Sequence, residues 1–226
     1  MSKDVYSLWL VGGTALLVAE TALPSRQYAL DSVLFAQLRA DKLHGSRFAD
    51  YARWYSSYRT ALEARGWVIP YSRSDYQPQQ GNAPLTQRLT DGLQARHPSL
   101  AGYLQAAIVK LSHDEVQPYL RPFTVVEQGQ AAHVVYEVGV MLPDASLDLC
   151  GLALKSVLPA AQIHPCTALS PSPSDKVDLR TTLATLGDHV AEADRQGLHA
   201  LLEHKQYAGR IRNLGVLKPE VSHANT

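Results

Sequence analysis

The sequence lacks an excess of charge of either sign, because lysine and arginine number 21 and so do aspartate and glutamate. A chain without net positive charge has no general attraction to phosphate backbones, so we expect no nucleic-acid partner. It also lacks a polybasic segment that would hold it on an anionic membrane. Near-zero net charge weakens the repulsion between copies, which favours self-association.

Cysteine is scarce, with only Cys150 and Cys166 in the chain. A secreted protein could join them in one disulfide, but nothing else in the sequence is typical of a secreted scaffold. Cys150 lies in the apolar run 147–154, where a cysteine behaves as a small hydrophobic residue. We therefore expect two thiols and a cytoplasmic location.

Long hydrophobic runs are also missing. The apolar stretch 5–19 is too short for a membrane-spanning helix, so no stable membrane insertion is expected. A signal peptide is disfavoured because Asp4 lies in what should be a basic region and Gly12-Gly13 interrupts the run. A β-hairpin that turns at the two glycines explains the stretch better, with strands at 5–11 and 14–22.

The common sequence motifs of nucleotide binding and nucleophilic catalysis are absent. There is no Gly-x-Gly-x-x-Gly, no Walker-type phosphate loop, no Gly-x-Ser-x-Gly and no Cys-x-x-Cys. We therefore assign no catalytic residue, no metal ligand and no cofactor. A site built from dispersed residues would escape such a search, because catalytic geometry is not tied to sequence spacing.

The strongest pattern present is a stripe of aromatic residues at helical spacing, which predicts a helix that begins at the N-cap Ser46 and ends before Gly66. The members of the stripe are Phe48, Tyr51, Tyr55, Tyr58 and Leu62. Most of it should pack against a sheet, and its tyrosines should reach an edge of the core where their hydroxyls find partners. Tyrosine and tryptophan are also enriched at interfaces. We therefore predict four binding residues, which are Trp9, Trp54, Tyr55 and Tyr58.

Periodicity and turn residues place the other elements. In the first half we expect a strand at 28–38, a short strand at 67–69 that Pro70 ends, a polar loop to Pro84, and helices that begin at Leu85 and Pro98. In the second half we expect strands at 123–127, 132–142, 147–158 and 177–186 and a last helix from 187–188 to about 208. On the strand 132–142, Glu137 should face away from Val134, Tyr136 and Val138.

These elements predict an α+β fold in which a mostly antiparallel sheet packs against several helices. We expect a single domain over 1–217 that could form two similar lobes, 1–115 and 116–217, followed by a flexible tail at 218–226.

Three clusters could carry chemistry, and each has a plain structural alternative. His113-Asp114-Glu115 is typical of a solvated helix end. His199 and His204 are five residues apart on a helix, which turns them away from each other and disfavours a shared metal. His164-Pro165-Cys166 would need further ligands or an oriented base.

We consider three functional classes. The favoured one is a non-enzymatic binding or assembly protein that self-associates or docks a protein partner, with the edges of the N-terminal hairpin open to a further strand. The first alternative is a hydrolase-type enzyme, which requires at least two of five dispersed residues to converge: His113, His133, His164, Cys166 and His189. The second alternative is a membrane-active protein that refolds its amphipathic strands.

Overall fold

The computed structural model describes residues 4–78, 83–169, 176–205 and 207–219. The strands are β1 (Tyr6–Val11), β2 (Thr14–Ala19), β3 (Trp67–Pro78), β4 (Ala83–Pro84), β5 (Val125–Gln128), β6 (Ala131–Met141), β7 (Ser146–Ser156), β8 (Ala168–Leu169), β9 (Lys176–Leu186) and β10 (Ile211–Val216). The helices are α1 (Leu23–His44), α2 (Tyr51–Glu63), α3 (Leu85–Arg96), α4 (Ala101–Leu111), α5 (Gln117–Thr124) and α6 (Glu192–His204).

Eight strands form the main sheet in the order β10-β1-β2-β6-β7-β9-β3, with β5 paired to one end of β6. Every pair in it is antiparallel except β2 with β6. The predicted α+β class with a mostly antiparallel sheet packed against helices is confirmed. The sheet interleaves strands from both predicted lobes, since β2 pairs with β6 and β3 pairs with β9.

The N-terminal hairpin forms as predicted, with Gly12 in the left-handed region at φ +55°. Its expected open edges are not present. β10 pairs along β1, and β6 pairs along β2, so the backbone groups on both sides of the hairpin are occupied. The prediction of the hairpin as a site for strand addition is therefore wrong in this structure.

Residues 28–38, predicted as a strand, lie inside the helix α1. The buried side chains Leu30, Val33, Leu34 and Gln37 recur at helical spacing and face the rest of the protein. Asp31, Ser32 and Gln37 are polar yet buried. They interrupt the apolar pattern and hide the helix from a periodicity search.

The helix α2 begins later than predicted. Gly45 has φ +71° and ends α1, with its N–H donating to Asp41 O at 2.8 Å. The N-cap of α2 is Asp50, whose carboxylate accepts the N–H of Arg53 at 3.0 Å, and not Ser46. Phe48 therefore precedes the helix instead of starting its stripe.

The strand β3 is longer than predicted, because it continues past Pro70 to Pro78. The pairing with β9 shifts register between Val68 and Tyr71, and this irregularity accommodates the proline. Residues 79–82 of the predicted loop lie outside the described residues. The strand β10 was not predicted, and it forms by pairing with β1 roughly 200 residues earlier in the chain.

Helices cover both faces of the sheet. On β7, Gly151 lies against Tyr51 of α2, whereas the neighbouring Cys150 lies against Gly92 of α3. Successive residues of a strand point to opposite faces, so α2 and α3 lie on opposite sides. The last helix α6 packs on α1, on the same side as α2. Of the predicted tail, Lys218 and Pro219 are described and exposed.

Replacement of Gly12 by alanine should destabilise the protein more than replacement of Gly129. Both glycines have positive φ, at +55° and +68°, so both variants incur a similar backbone cost of about 1 kcal/mol. A Cβ at Gly12 would overlap the amide oxygen of Gln37, whereas a Cβ at Gly129 meets nothing. Urea denaturation should show an additional loss of roughly 1–3 kcal/mol for the Gly12 variant. Equal losses would contradict the contact with Gln37.

Candidate functional site

A buried polar network lies where α1 and α2 meet the sheet, and its centre is the side chain of Gln37. The amide Nε2 donates to Val11 O at 2.9 Å and to Thr14 Oγ1 at 2.8 Å. The amide Oε1 accepts from Gly13 N at 3.1 Å and from Arg47 Nη2 at 3.0 Å. All the hydrogen-bonding capacity of this buried amide is used.

The network continues to Glu137 on β6, which is only 7% exposed. Since Thr14 Oγ1 accepts from Gln37, its hydroxyl proton is directed to Glu137 Oε1 at 2.5 Å. Tyr58 Oη donates to the same carboxylate oxygen at 3.1 Å. Burial raises the pKa of the Glu137 carboxyl, and the hydrogen bonds from Thr14 and Tyr58 partly offset this shift. As expected, Glu137 faces away from Val134. Its carboxylate therefore points toward α2.

The aromatic stripe of α2 surrounds this network. Trp54 and Tyr58 stack with centroids 5.3 Å apart, and the guanidinium of Arg47 lies 4.3 Å from the centroid of Trp54. Tyr55 Oη donates to Thr182 Oγ1 at 3.1 Å. The hydroxyls of Tyr55 and Tyr58 therefore find their partners among polar side chains of the sheet. These partners lie inside the core and not at its edge, where they were expected.

Three of the four predicted binding residues are buried. Trp54 and Tyr55 are 2% exposed and Tyr58 is fully buried, so they do not line an exposed surface in this structure. Trp9 is half-buried, donates to Ser7 Oγ at 2.9 Å and lies under the guanidinium of Arg26. A binding role for these four residues stays a prediction.

A large groove lies on the outer side of the α1–α2–α6 layer. Its volume is about 1090 Å³. The lining residues of α1 are Phe35, Leu38, Arg39, Asp41, Lys42 and Leu43. Those of α2 and the residues just after it are Ser57, Thr60, Ala61, Ala64 and Arg65. Those of α6 and the residues after it are Leu201, Leu202, Lys205, Tyr207 and Arg210. We call this the α1–α6 groove. α1 packs against both α2 and α6, so it forms the floor and the other two form the walls.

The α1–α6 groove combines apolar surface with positive charge. Five cationic side chains line it, and they are Arg39, Lys42, Arg65, Lys205 and Arg210. Among the described lining residues there is one carboxylate, Asp41, and it accepts a hydrogen bond from Trp54 Nε1 at 2.7 Å. The guanidinium of Arg65 lies 4.1 Å from the ring centroid of Phe35, which leaves its charge at the apolar surface.

The sequence patterns did not predict this groove, because residues 28–38 of α1 were expected to form a strand. Phe35, Leu38, Arg39 and Lys42 recur at the spacing of one helical face, and that signal is visible once residues 23–44 are read as a helix. The remaining lining residues come to the groove by tertiary packing and have no local signal: Leu201, Leu202, Lys205, Tyr207 and Arg210.

A second polar cluster lies on the opposite face of the sheet, where the buried Asp148 and Cys150 of β7 meet the C-terminal end of α3. Arg96 binds Asp148 through two hydrogen bonds of 2.7 and 2.8 Å, and His97 Nε2 lies 2.8 Å from the same carboxylate. Arg96 Nη2 also donates to Cys150 Sγ at 3.0 Å. Burial raises the pKa of the Cys150 thiol despite this contact, so the sulfur is not an activated nucleophile.

The residues required by the hydrolase alternative do not meet. No hydrogen bond joins any two of His113, His133, His164, Cys166 and His189, all of which are described. His133 Nδ1 lies 3.0 Å from Phe48 O, and Cys166 Sγ lies 2.8 Å from Ser112 Oγ. Both cysteines are free thiols, as expected.

The histidines of the remaining predicted clusters lie wholly or partly at the surface. His113 and Glu115 are exposed after the end of α4, as expected of a solvated helix end. On the last helix, His199 Nδ1 lies 2.9 Å from the buried Asp31 of α1. Within the described ranges no three histidine, cysteine, aspartate or glutamate residues are grouped to hold a metal ion. In the same ranges no helix is long and apolar enough to cross a membrane.

The chain has little detectable similarity to known proteins. The chain matches no protein-family model and no curated protein sequence. Similar solved structures include an activated Cyt2Ba monomer from Bacillus thuringiensis subsp. israelensis, with 8% identity, 79% of this chain and 99% of that chain covered, and a TM-score of 0.45. A delta-endotoxin has 12% identity, 80% and 83% coverage and a TM-score of 0.44. The Evf virulence factor has 10% identity, 86% and 84% coverage and a TM-score of 0.43. At these values the similarities carry no argument about function.

Replacement of Glu137 by glutamine should change how stability depends on pH. The raised pKa means that the folded protein holds this proton more tightly than the unfolded chain, so the proton stabilises the fold below about pH 4.3. That contribution is lost as pH rises through the folded-state pKa. Glutamine keeps an oxygen acceptor for Thr14 and Tyr58 and cannot lose a proton.

The unfolding free energy of the glutamine variant should therefore rise relative to the natural protein above about pH 4.3, by at most roughly 1.4 kcal/mol per pH unit. Urea denaturation at several pH values measures this difference. Replacement of the exposed Glu127 by glutamine is the control and should give a nearly constant difference. Parallel stability curves for the Glu137 variant would contradict the burial argument.

Proposed function

We propose that this protein is a non-enzymatic binding protein that docks an acidic, amphipathic helical segment of a protein partner in the α1–α6 groove. The observation that carries the proposal is the composition of the groove. Its apolar floor and walls include Phe35, Leu38 and Leu202, and its cationic side chains outnumber its single engaged carboxylate by five to one. An acidic amphipathic helix matches both properties.

The positions of the charges favour a segment with several acidic residues over a small anionic ligand. Arg39 and Lys42 lie on α1, and Arg65 lies just after α2. Lys205 and Arg210 follow α6 and line the opposite wall. A ligand with one anionic head group would use a cluster of cations at one end. Charges on all three sides of the groove instead suit carboxylates spread along a helix.

The shape of the groove favours a helix over a lipid surface. Three helical segments enclose it, and its volume of about 1090 Å³ has the size of roughly two turns of a helix 10 Å wide. A flat bilayer would contact the rims of the groove and would not reach Phe35 and Leu38 on its floor. Leu43 and Leu201, which are 52% and 38% exposed, offer apolar surface for the partner to cover.

A designed peptide tests this proposal. A helix of about 15 residues, with leucine on one face and glutamate on the other, should bind, and the same peptide with lysine in place of glutamate should not. Fluorescence anisotropy measures both dissociation constants. The affinity of the acidic peptide should fall as salt is added, because exposed charges are screened.

The double variant K42E/K205E should weaken binding of the acidic peptide by about tenfold or more, since both lysines are exposed in the lining. L43D should weaken binding through the apolar surface. Arg53→Glu is the matched control, because Arg53 is exposed on α2 outside the groove. Equal binding of the two peptides would contradict the proposal, and so would binding to phosphatidylserine vesicles in preference to the acidic peptide.

A further inference from the structure

Among the described strands, β3 lies at one edge of the main sheet. It pairs with β9 from Trp67 to Pro78, and no described strand pairs with its outer edge. Unpaired strand edges recruit further strands, because their backbone donors and acceptors are already aligned. Tyr71 and Val68 on this strand are 45% and 53% exposed.

We propose that two copies of this chain associate through β3, in antiparallel register about a two-fold axis at Ser74. This interface lies at the edge of the sheet and uses no residue of the α1–α6 groove. The occupant of the edge is a second copy because the sequence of β3 is complementary to itself in this one register. Two independent features show the complementarity.

The first feature is the position of the prolines. Pro70 and Pro78 each lie four residues from Ser74, on opposite sides. Proline has no N–H to donate, so each one limits the segment that can pair. With the axis at Ser74, Pro70 of one copy lies opposite Pro78 of the other. The run 71–77 is then free of proline in both strands, and a neighbouring register would place a proline opposite part of the run.

The second feature is the pair of charges next to the axis. Arg73 and Asp75 project from the same face of the strand and lie 3.2 Å apart. With the axis at Ser74, Arg73 of each copy lies directly opposite Asp75 of the other, so two cross-strand pairs of opposite charge form. The absence of net charge on the chain removes the general repulsion between copies. An isologous interface of this kind closes at two copies.

Charge exchange tests the register. R73E and D75R should each place like charges opposite one another, and sedimentation equilibrium should show the dimer dissociation constant raised by about tenfold or more. A mixture of the two variants should form heterodimers, because the acidic side chains of the R73E copy then lie opposite the basic side chains of the D75R copy at both cross-strand pairs. Circular dichroism of each variant checks that the fold is retained.

A cysteine at the axis gives a second readout. In the proposed register S74C lies opposite its counterpart at about 4.5–5.5 Å between Cα atoms, which a disulfide can bridge. Mild oxidation in a C166S background should produce a covalent dimer. Y71C, whose counterpart lies about 20 Å away along the strands, should not.

A natural protein that stays monomeric to millimolar concentration would overturn the proposal. So would a dimer that R73E, D75R and their mixture leave unchanged, or one in which Y71C cross-links as well as S74C. The groove is untouched by these substitutions, so failure here leaves peptide binding by the α1–α6 groove as a separate question.

Discussion

The contact between Thr14 and Glu137 joins the first and second halves of the chain at the parallel strand pair of the sheet. These residues are register partners in the one parallel pair of the sheet, and Gln37 and Tyr58 bring α1 and α2 to the same point. A buried network of this kind stabilises the fold only when every member has its partners, because an unpaired polar group costs free energy in a low-dielectric interior. Gln37 meets that condition with four hydrogen bonds.

The position of α1 connects this network to the groove. Gln37 on the inner side of the helix is fixed by the hairpin turn and by Arg47, while Arg39 and Lys42 project into the α1–α6 groove. A rigid floor lowers the entropic cost of binding, because the side chains of the site do not need to be ordered by the partner. The same helix thus serves stability on one side and recognition on the other.

Some of this architecture could be predicted from local sequence. The hairpin, the strands of the second half and the burial of Tyr55 and Tyr58 follow from periodicity and turn residues. The role of Glu137 could not, because its partners lie 79 and 123 residues away. The groove was missed because polar residues such as Asp31 and Ser32 are buried in α1 and obscure its helical pattern.

The most direct measurement of the central claim is an NMR titration of the labelled protein with the acidic amphipathic peptide. The account predicts that amide shifts change in α1 around Phe35–Leu43, just after α2 around Arg65, and at Leu202, Lys205 and Tyr207, while β3 is unchanged. Shift changes centred on β3 or on the opposite face near Arg96, or no changes at saturating peptide, would contradict it.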